Sequence, residues 1–213
     1  MYRYIGTYFR VPVYLHWSVP FTILGLSALV SVTTGFITIN FGDWSYWDVA
    51  LMTVLYTTGL FVSLIVHECA HAVVARLEGV EVDHMAIAFM SGWCFTGVAS
   101  DEEADLRISA AGSIAQGAMS FVTLFVCVMT AKPDEILPIP WAFGCLTPIL
   151  GLSVIANLWP GSKETDGRAV YKRFQEIGWS QKGAWAFFLM SSCLYLFTMT
   201  MLAYTGYRYL HGG

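Results

Sequence analysis

Positions 51–66, LMTVLYTTGLFVSLIV, carry no charge, and the chain then continues HECAHAVVARLEG as far as Gly79. An apolar run of that length can cross a bilayer as a helix, which needs roughly 20 residues. Polar groups placed in such a segment without partners cost several kcal/mol. His67, Glu68 and His71 must therefore satisfy one another or hold something bound.

The rest of the chain repeats the theme. Apolar segments of spanning length fall at 17–39, 50–77, 106–131, 141–160 and 184–206, the first weakened by Ser, Thr and Gly. Only 12% of the 213 residues are charged and 56% are hydrophobic, against about a quarter charged in ordinary soluble domains. The expected fold is an all-α multi-pass membrane protein of about five transmembrane helices. Residues 1–213 read as a single domain, with a retained first span and no cleavable signal peptide. With the N-terminus inside, nine lysines and arginines fall on the inner side and two, Lys132 and Arg208, outside. That bias predicts an N-in, C-out topology. A net charge of −4 gives no reason to expect a nucleic-acid partner.

Between the second and third spans lies GVEVDHMAIAFMSGWCFTGVAS (79–100), too polar and glycine-punctuated to span. VEVDHMAIAF has strand character and SGWC reads as a turn, so a small re-entrant β-loop is expected here. The five cysteines show no CxxC spacing and read as small buried hydrophobes. Trp17, Trp44, Trp47, Trp141 and Tyr207 lie near span ends, as an aromatic belt would place them.

HECAH is HExxH. On a helix, His67 and His71 lie one turn apart on one face and can reach the same metal ion. Glu68 is placed to take a proton from metal-bound water rather than to ligate. Two core histidines with a structural glutamate are the bland alternative, and the cost of putting them in a membrane weighs against it. A third protein ligand is needed, and the candidates are His84, the acidic cluster 101–105, Glu164 and Asp166. In NLWPGSKETDGR (157–168), Pro160 and Gly161 end the fourth span and Asp166-Gly167 makes a second break. The second and fourth spans end on the same side, which puts Asp166 above the other candidates.

HExxH in one span, with N-x-x-P and then D-G at the end of a later one, resembles the site-2 protease family of intramembrane zinc metalloproteases. VYLHWSVP (13–20) resembles that family's entry segment, and AAGSIAQG (110–117) its small-residue helix. The resemblance implies one Zn2+ held by His67, His71 and Asp166. Glu68 would be the catalytic acid/base, and Asn157 would line the cleft and assist the tetrahedral intermediate. Ser113 stands where the family commonly has proline, Gln116 where it often has asparagine, and Thr165 where an apolar residue is usual. These departures bear on substrate preference more than on the ligands. Neither a PDZ nor a CBS domain is expected beside the catalytic core.

The implied reaction is hydrolysis of a peptide bond in or near a transmembrane helix of a single-span membrane protein. The implied location is the cell (inner) membrane, with the active site toward the cytoplasm. A strand edge in 79–100 is expected to hold the unwound substrate by β-augmentation, testable by prolines at 86 and 88. The small residues of 109–118 read as close helix packing behind the site. The alternative functions are a catalytically inactive metal-binding scaffold and a metal carrier. A carrier would distribute its polar groups along a path, whereas here they gather at one depth.

Overall fold

Ser45 starts the helix that carries HECAH. Its hydroxyl accepts from the Asp48 amide, and the Asp48 carboxylate accepts from the Ser45 amide, a reciprocal capping box. In a computed structural model the described elements run β1 (Tyr2–Tyr8), β2 (Val11–His16), α1 (Ser18–Phe41), α2 (Tyr46–Leu77), β3 (Val82–Ala88) and β4 (Ser91–Thr96). They continue α3 (Glu102–Thr130), α4 (Pro138–Asn157), α5 (Gly167–Glu176) and α6 (Gln181–Leu210). The structure describes residues 1–8, 10–41, 44–88, 91–131, 137–159 and 166–210, with the backbone alone at 34–41, 91 and 202–210.

Four helices, Tyr46–Leu77, Glu102–Thr130, Pro138–Asn157 and the Gln181–Met201 part of α6, are long and apolar enough to cross a membrane. The chain is thus built as an integral membrane protein. At most 39% of any of their apolar windows is buried. Side chains such as Val54, Val122, Phe125, Leu152 and Leu194 are left open, as hydrocarbon permits and water does not. The fifth expected span is helical as α1, of which Ser18–Thr33 is a shorter apolar stretch. Two of its serines face α2: Ser27 pairs with Thr57 and Ser31 with Thr53, at 3.3 and 3.2 Å. Helices in lipid gain nothing from burying apolar surface against each other, so such contacts and close packing hold them together. Between α3 and α4 the Ser120 hydroxyl donates to the Thr147 carbonyl at 2.9 Å, and Thr123 meets Thr147 at 3.0 Å.

The sequence expectation needs correction at the β structure. SGWC is not a turn but the first part of β4, and positions 89–90 lie outside the described residues. The hairpin is also not alone, because the residues read as the approach to the first span form β1 and β2. Together they make a four-stranded sheet in the order β1-β2-β3-β4, with β2 and β3 parallel and the other pairs antiparallel. The alternation Val11, Val13, Leu15 is the period of a half-buried strand. These side chains pack with Met85, Ile87 and Ala72, laying the sheet on α2 beside HECAH. Arg10 closes the β1–β2 turn in the left-handed region at φ 61, a strained choice for a side-chain-bearing residue. The Arg76 guanidinium of α2 donates to its carbonyl at 3.0 Å. β3 is interior, so prolines at 86 and 88 would break the sheet itself; the edge on this side is β4.

A second correction concerns α5, a charged helix that was not expected. Lys172 and Arg173 pair with Glu102 and Glu103 at the start of α3, and Arg107 forks onto Glu78 at 2.6 and 2.8 Å. Arg107 holds the Glu78 carboxyl below the usual carboxylate range. The acidic cluster is therefore a charged interface between helices, with Asp101 capping α3 through the Ala104 amide at 2.8 Å.

Leu146 of α4 is fully buried and packs against Gly59 of α2. Replacing it with alanine should cost about 3 kcal/mol of unfolding free energy. Denaturation in mild detergent measures this, and a cost under about 1 kcal/mol would mean that α2 and α4 do not meet there.

Candidate metal centre

Two positions four apart on α2 bring the His67 and His71 rings together, both buried, with their Nε2 atoms 3.1 Å apart. His71 Nδ1 lies 2.6 Å from the Ile108 carbonyl oxygen of α3. A carbonyl only accepts, so Nδ1 is the donor, which leaves Nε2 as the nitrogen able to ligate. Asp166 faces the same point, with Oδ2 at 3.4 Å from His67 Nε2 and Oδ1 at 3.5 Å from His71 Nε2. The three potential ligand atoms lie within 4.8 Å of one another.

Asp166 reaches this position through backbone packing. A Cβ on Gly167 would overlap the Leu158 backbone, so the end of α4 and the start of α5 meet with no side chain between them. Gly167 opens a helix here rather than marking a break, and Asp166 takes right-handed helical angles at the N-cap, φ −56 and ψ −32. Burial pushes the Asp166 carboxyl above its usual range, while His71 and a hydrogen bond from Ser113 pull the other way.

Glu68 is 4% exposed, next to His67 on α2. It lies beneath β4, where a Cβ on Gly92 would come 2.5 Å from its Cγ and Oε1. Cys94, two residues on, has its thiol pushed up to about 12, chiefly by burial and then by Glu68. Asn157, in the last turn of α4, donates to Gln116 of α3 at 3.3 Å and reaches the site through it. Among the other candidates, His84 pairs with Asp83 at 2.7 Å and stacks on Phe95. The 101–105 cluster caps and pairs as described, and Glu164 lies outside the described residues.

The sequence reading missed what α3 does here. The carbonyl of Ile108 orients His71. The Ser113 hydroxyl donates to Asp166 Oδ2 at 3.0 Å. Gly112 leaves a gap: a Cβ there would run into His71 Nε2 and lie 2.6 Å from His67 Nε2. Positions 108, 112 and 116 fall on one helical face, a pattern visible in ISAAGSIAQ that packing alone was enough to explain.

The donor set fits a metal. Two buried imidazoles and a half-buried carboxylate, converging on a space that a single methyl group would fill, make an electron-rich cluster that calls for a cation. Two His and one acidic ligand are the donors of many zinc sites that leave a position open for chemistry. Among the described residues no other three such side chains converge.

No protein-family model matches the chain. Over 120 residues, 52% of this chain, it is 34% identical to "Putative zinc metalloprotease Rip3" of Mycobacterium tuberculosis, from two strains. The match spans 28% of the length of those curated relatives. Among solved structures, the site-2 protease from Methanocaldococcus jannaschii shares the fold. Its TM-score is 0.51 over 97% of this chain and 92% of that one, at 19% identity. The chain therefore resembles the site-2 protease family both in sequence and in fold.

Alanine at Gly112 should close the gap between the ring nitrogens. Expressed with added zinc, Gly112→Ala should retain less than about a tenth of the zinc of the unaltered protein. Elemental analysis of both, matched for folded protein, gives the answer, and equal zinc would place the ion elsewhere.

Proposed function

We propose that this chain is an intramembrane zinc metalloprotease that cleaves a peptide bond in or near a transmembrane helix of a single-span membrane protein. The observation that carries this reading is the meeting of His67, His71 and Asp166 beside a buried Glu68. A zinc ion held by those three side chains would supply Lewis acidity, making water easier to deprotonate and drawing charge from the scissile carbonyl.

The remaining work falls to the chain. Glu68 accepts the proton of the attacking water and returns it to the leaving amine. Its burial under β4 excludes bulk water that would compete for that proton. Asn157, tethered to Gln116, sits on the α4 side of the site as a hydrogen-bond donor for the charge that develops on the carbonyl oxygen. His71 is held in one tautomer by Ile108, so its ligating nitrogen is always presented to the ion.

Access follows the helices. A cavity of about 110 Å³ lies between α1, α2 and α4, with Thr22, Phe61, Gln116, Leu150 and Ser153 on its wall. It approaches the site from the α1 side at Gln116, the partner of Asn157. His67 lies ten residues before Leu77, the last residue of α2, or roughly 15 Å along the axis. Arg107, Lys172 and Arg173 gather at that same end of the bundle. We place that end on the inner side of the cell membrane, in an N-in, C-out arrangement of five spans with the β3–β4 hairpin re-entrant. A substrate helix hides its carbonyls in its own hydrogen bonds, so the cut segment must unwind, and the β4 edge offers it a ladder. A carrier or an inactive scaffold has no use for a carboxylate buried beside a ligand, which favours the protease.

Two measurements test this. Reconstituted with a single-span substrate, Glu68→Gln should keep its zinc and lose about 10²- to 10⁴-fold in cleavage rate, whereas His71→Ala and Asp166→Ala should lose the zinc itself. If Glu68→Gln cleaves at the normal rate, the assignment of the base is wrong. Prolines introduced singly at Trp93, Cys94 and Phe95 test the ladder. Those that leave the sheet folded should slow cleavage at least about tenfold, and undiminished cleavage in every folded variant would remove β4 from substrate binding.

A further inference from the structure

We propose that Ser113 is a positioning residue for the ligating carboxylate: its hydroxyl sets the rotation of the Asp166 side chain, so that the carboxylate faces the two histidine Nε2 atoms. The proposal rests on the metal-site reading above and adds to it a contact that the ligand motif does not contain.

An aspartate at a helix N-cap ordinarily spends its carboxylate on the helix's own first amides. Asp101 does so at the start of α3, accepting from the Ala104 amide at 2.8 Å. Asp166 occupies the same place on α5 and makes no such cap bond. Its Oδ2 accepts instead from the Ser113 hydroxyl of α3 at 3.0 Å, and that same oxygen lies 3.4 Å from His67 Nε2. An ionised carboxylate has no proton to give, so the hydroxyl is the donor. Ser113 is 1% exposed, so bulk water does not compete for the bond.

Geometry supplies the reason for such a tether. α5 is ten residues long, and the contacts that fix it are the Lys172 and Arg173 ion pairs and the packing of Phe174 on Phe187 and Phe188 of α6, all about two turns away from Asp166, and the Gly167–Leu158 backbone approach. Those contacts place the backbone of Asp166 but leave its two side-chain torsions free. Ser113 fixes them from the opposite wall. It does so from the helix whose Ile108 carbonyl already orients His71, so α3 aligns a ligand from each of two other helices. Ser113 is therefore tied to the candidate metal centre through Asp166 Oδ2.

The test is zinc affinity, measured on detergent-purified, metal-stripped protein by competition with a chromophoric chelator. Ser113→Ala should bind zinc about 10- to 100-fold more weakly, and Ser113→Thr, which keeps the hydroxyl, should recover most of the loss. With cobalt in place of zinc, the visible absorption bands should change shape in Ser113→Ala and not in Ser113→Thr. The unfolding temperature of the metal-free protein should be the same in all three. If Ser113→Ala holds zinc within about twofold of the unaltered protein, or if its affinity falls only together with metal-free stability, Ser113 is a packing residue and the proposal fails. If the unaltered protein takes up no zinc, the metal-site reading fails first and takes this proposal with it.

Discussion

Two imidazoles on successive turns of one helix can address a single point only if the helix opposite offers no side chain there. Gly112 meets that condition, and the rest of the site is arranged around the gap it leaves. Two more glycines do similar work at its borders. Gly167 lets the α4 backbone touch the start of α5, and Gly92 lets β4 lie directly on Glu68. The walls of the site are therefore largely main chain. Main chain cannot change rotamer, so the walls stay where the fold puts them.

Different forces hold the two flanks. On one side the sheet is fixed to α2 by an apolar cluster of Val11, Val13, Met85 and Ile87 against Ala72, with the Arg76 guanidinium clasping the Arg10 carbonyl. On the other side α5 is held to α3 by exposed ion pairs and to α6 by Phe174 against Phe187 and Phe188. Such ion pairs are individually weak and screened by salt. The histidines belong to the half packed on the sheet, and Asp166 to the half where ion pairs join the aromatic packing. Between them, α3 is tied to α4 through Ser120, Thr123 and Thr147, where apolar surface alone would give no preference over lipid.

The parts that the sequence made legible were those under a strict physical rule. Polar side chains in an uncharged run must be satisfied, which singled out His67, Glu68 and His71. The shared end of two spans pointed to Asp166 from a distance of 95 positions. Helix existence came through because hydrocarbon demands long apolar runs, with boundaries shifted by up to four residues where caps such as Ser45 and Asp101 start the helices earlier. The β1–β2 hairpin was hidden because its tyrosines and arginines resemble an interfacial lead-in, although the alternation of Val11, Val13 and Leu15 was available. The roles of Ile108, Gly112 and Ser113 could not be read in advance. A carbonyl carries no residue signature, and a glycine or serine in a tightly packed helix looks the same whether it faces a neighbour or a ligand.

The sheet has one further consequence. β4 ends the order of strands, so its outer edge carries amide and carbonyl groups with no strand beside them among the described residues. Lipid tails cannot accept or donate hydrogen bonds, and an open edge cannot rest against them. Wherever Glu68 lies in the bilayer, β4 lies with it, so this protein must bring a wet seam into the membrane or draw the headgroups down to meet it. Its working depth is then tied to the thickness of the host bilayer. A thin membrane accommodates the seam readily, and a thick one resists it.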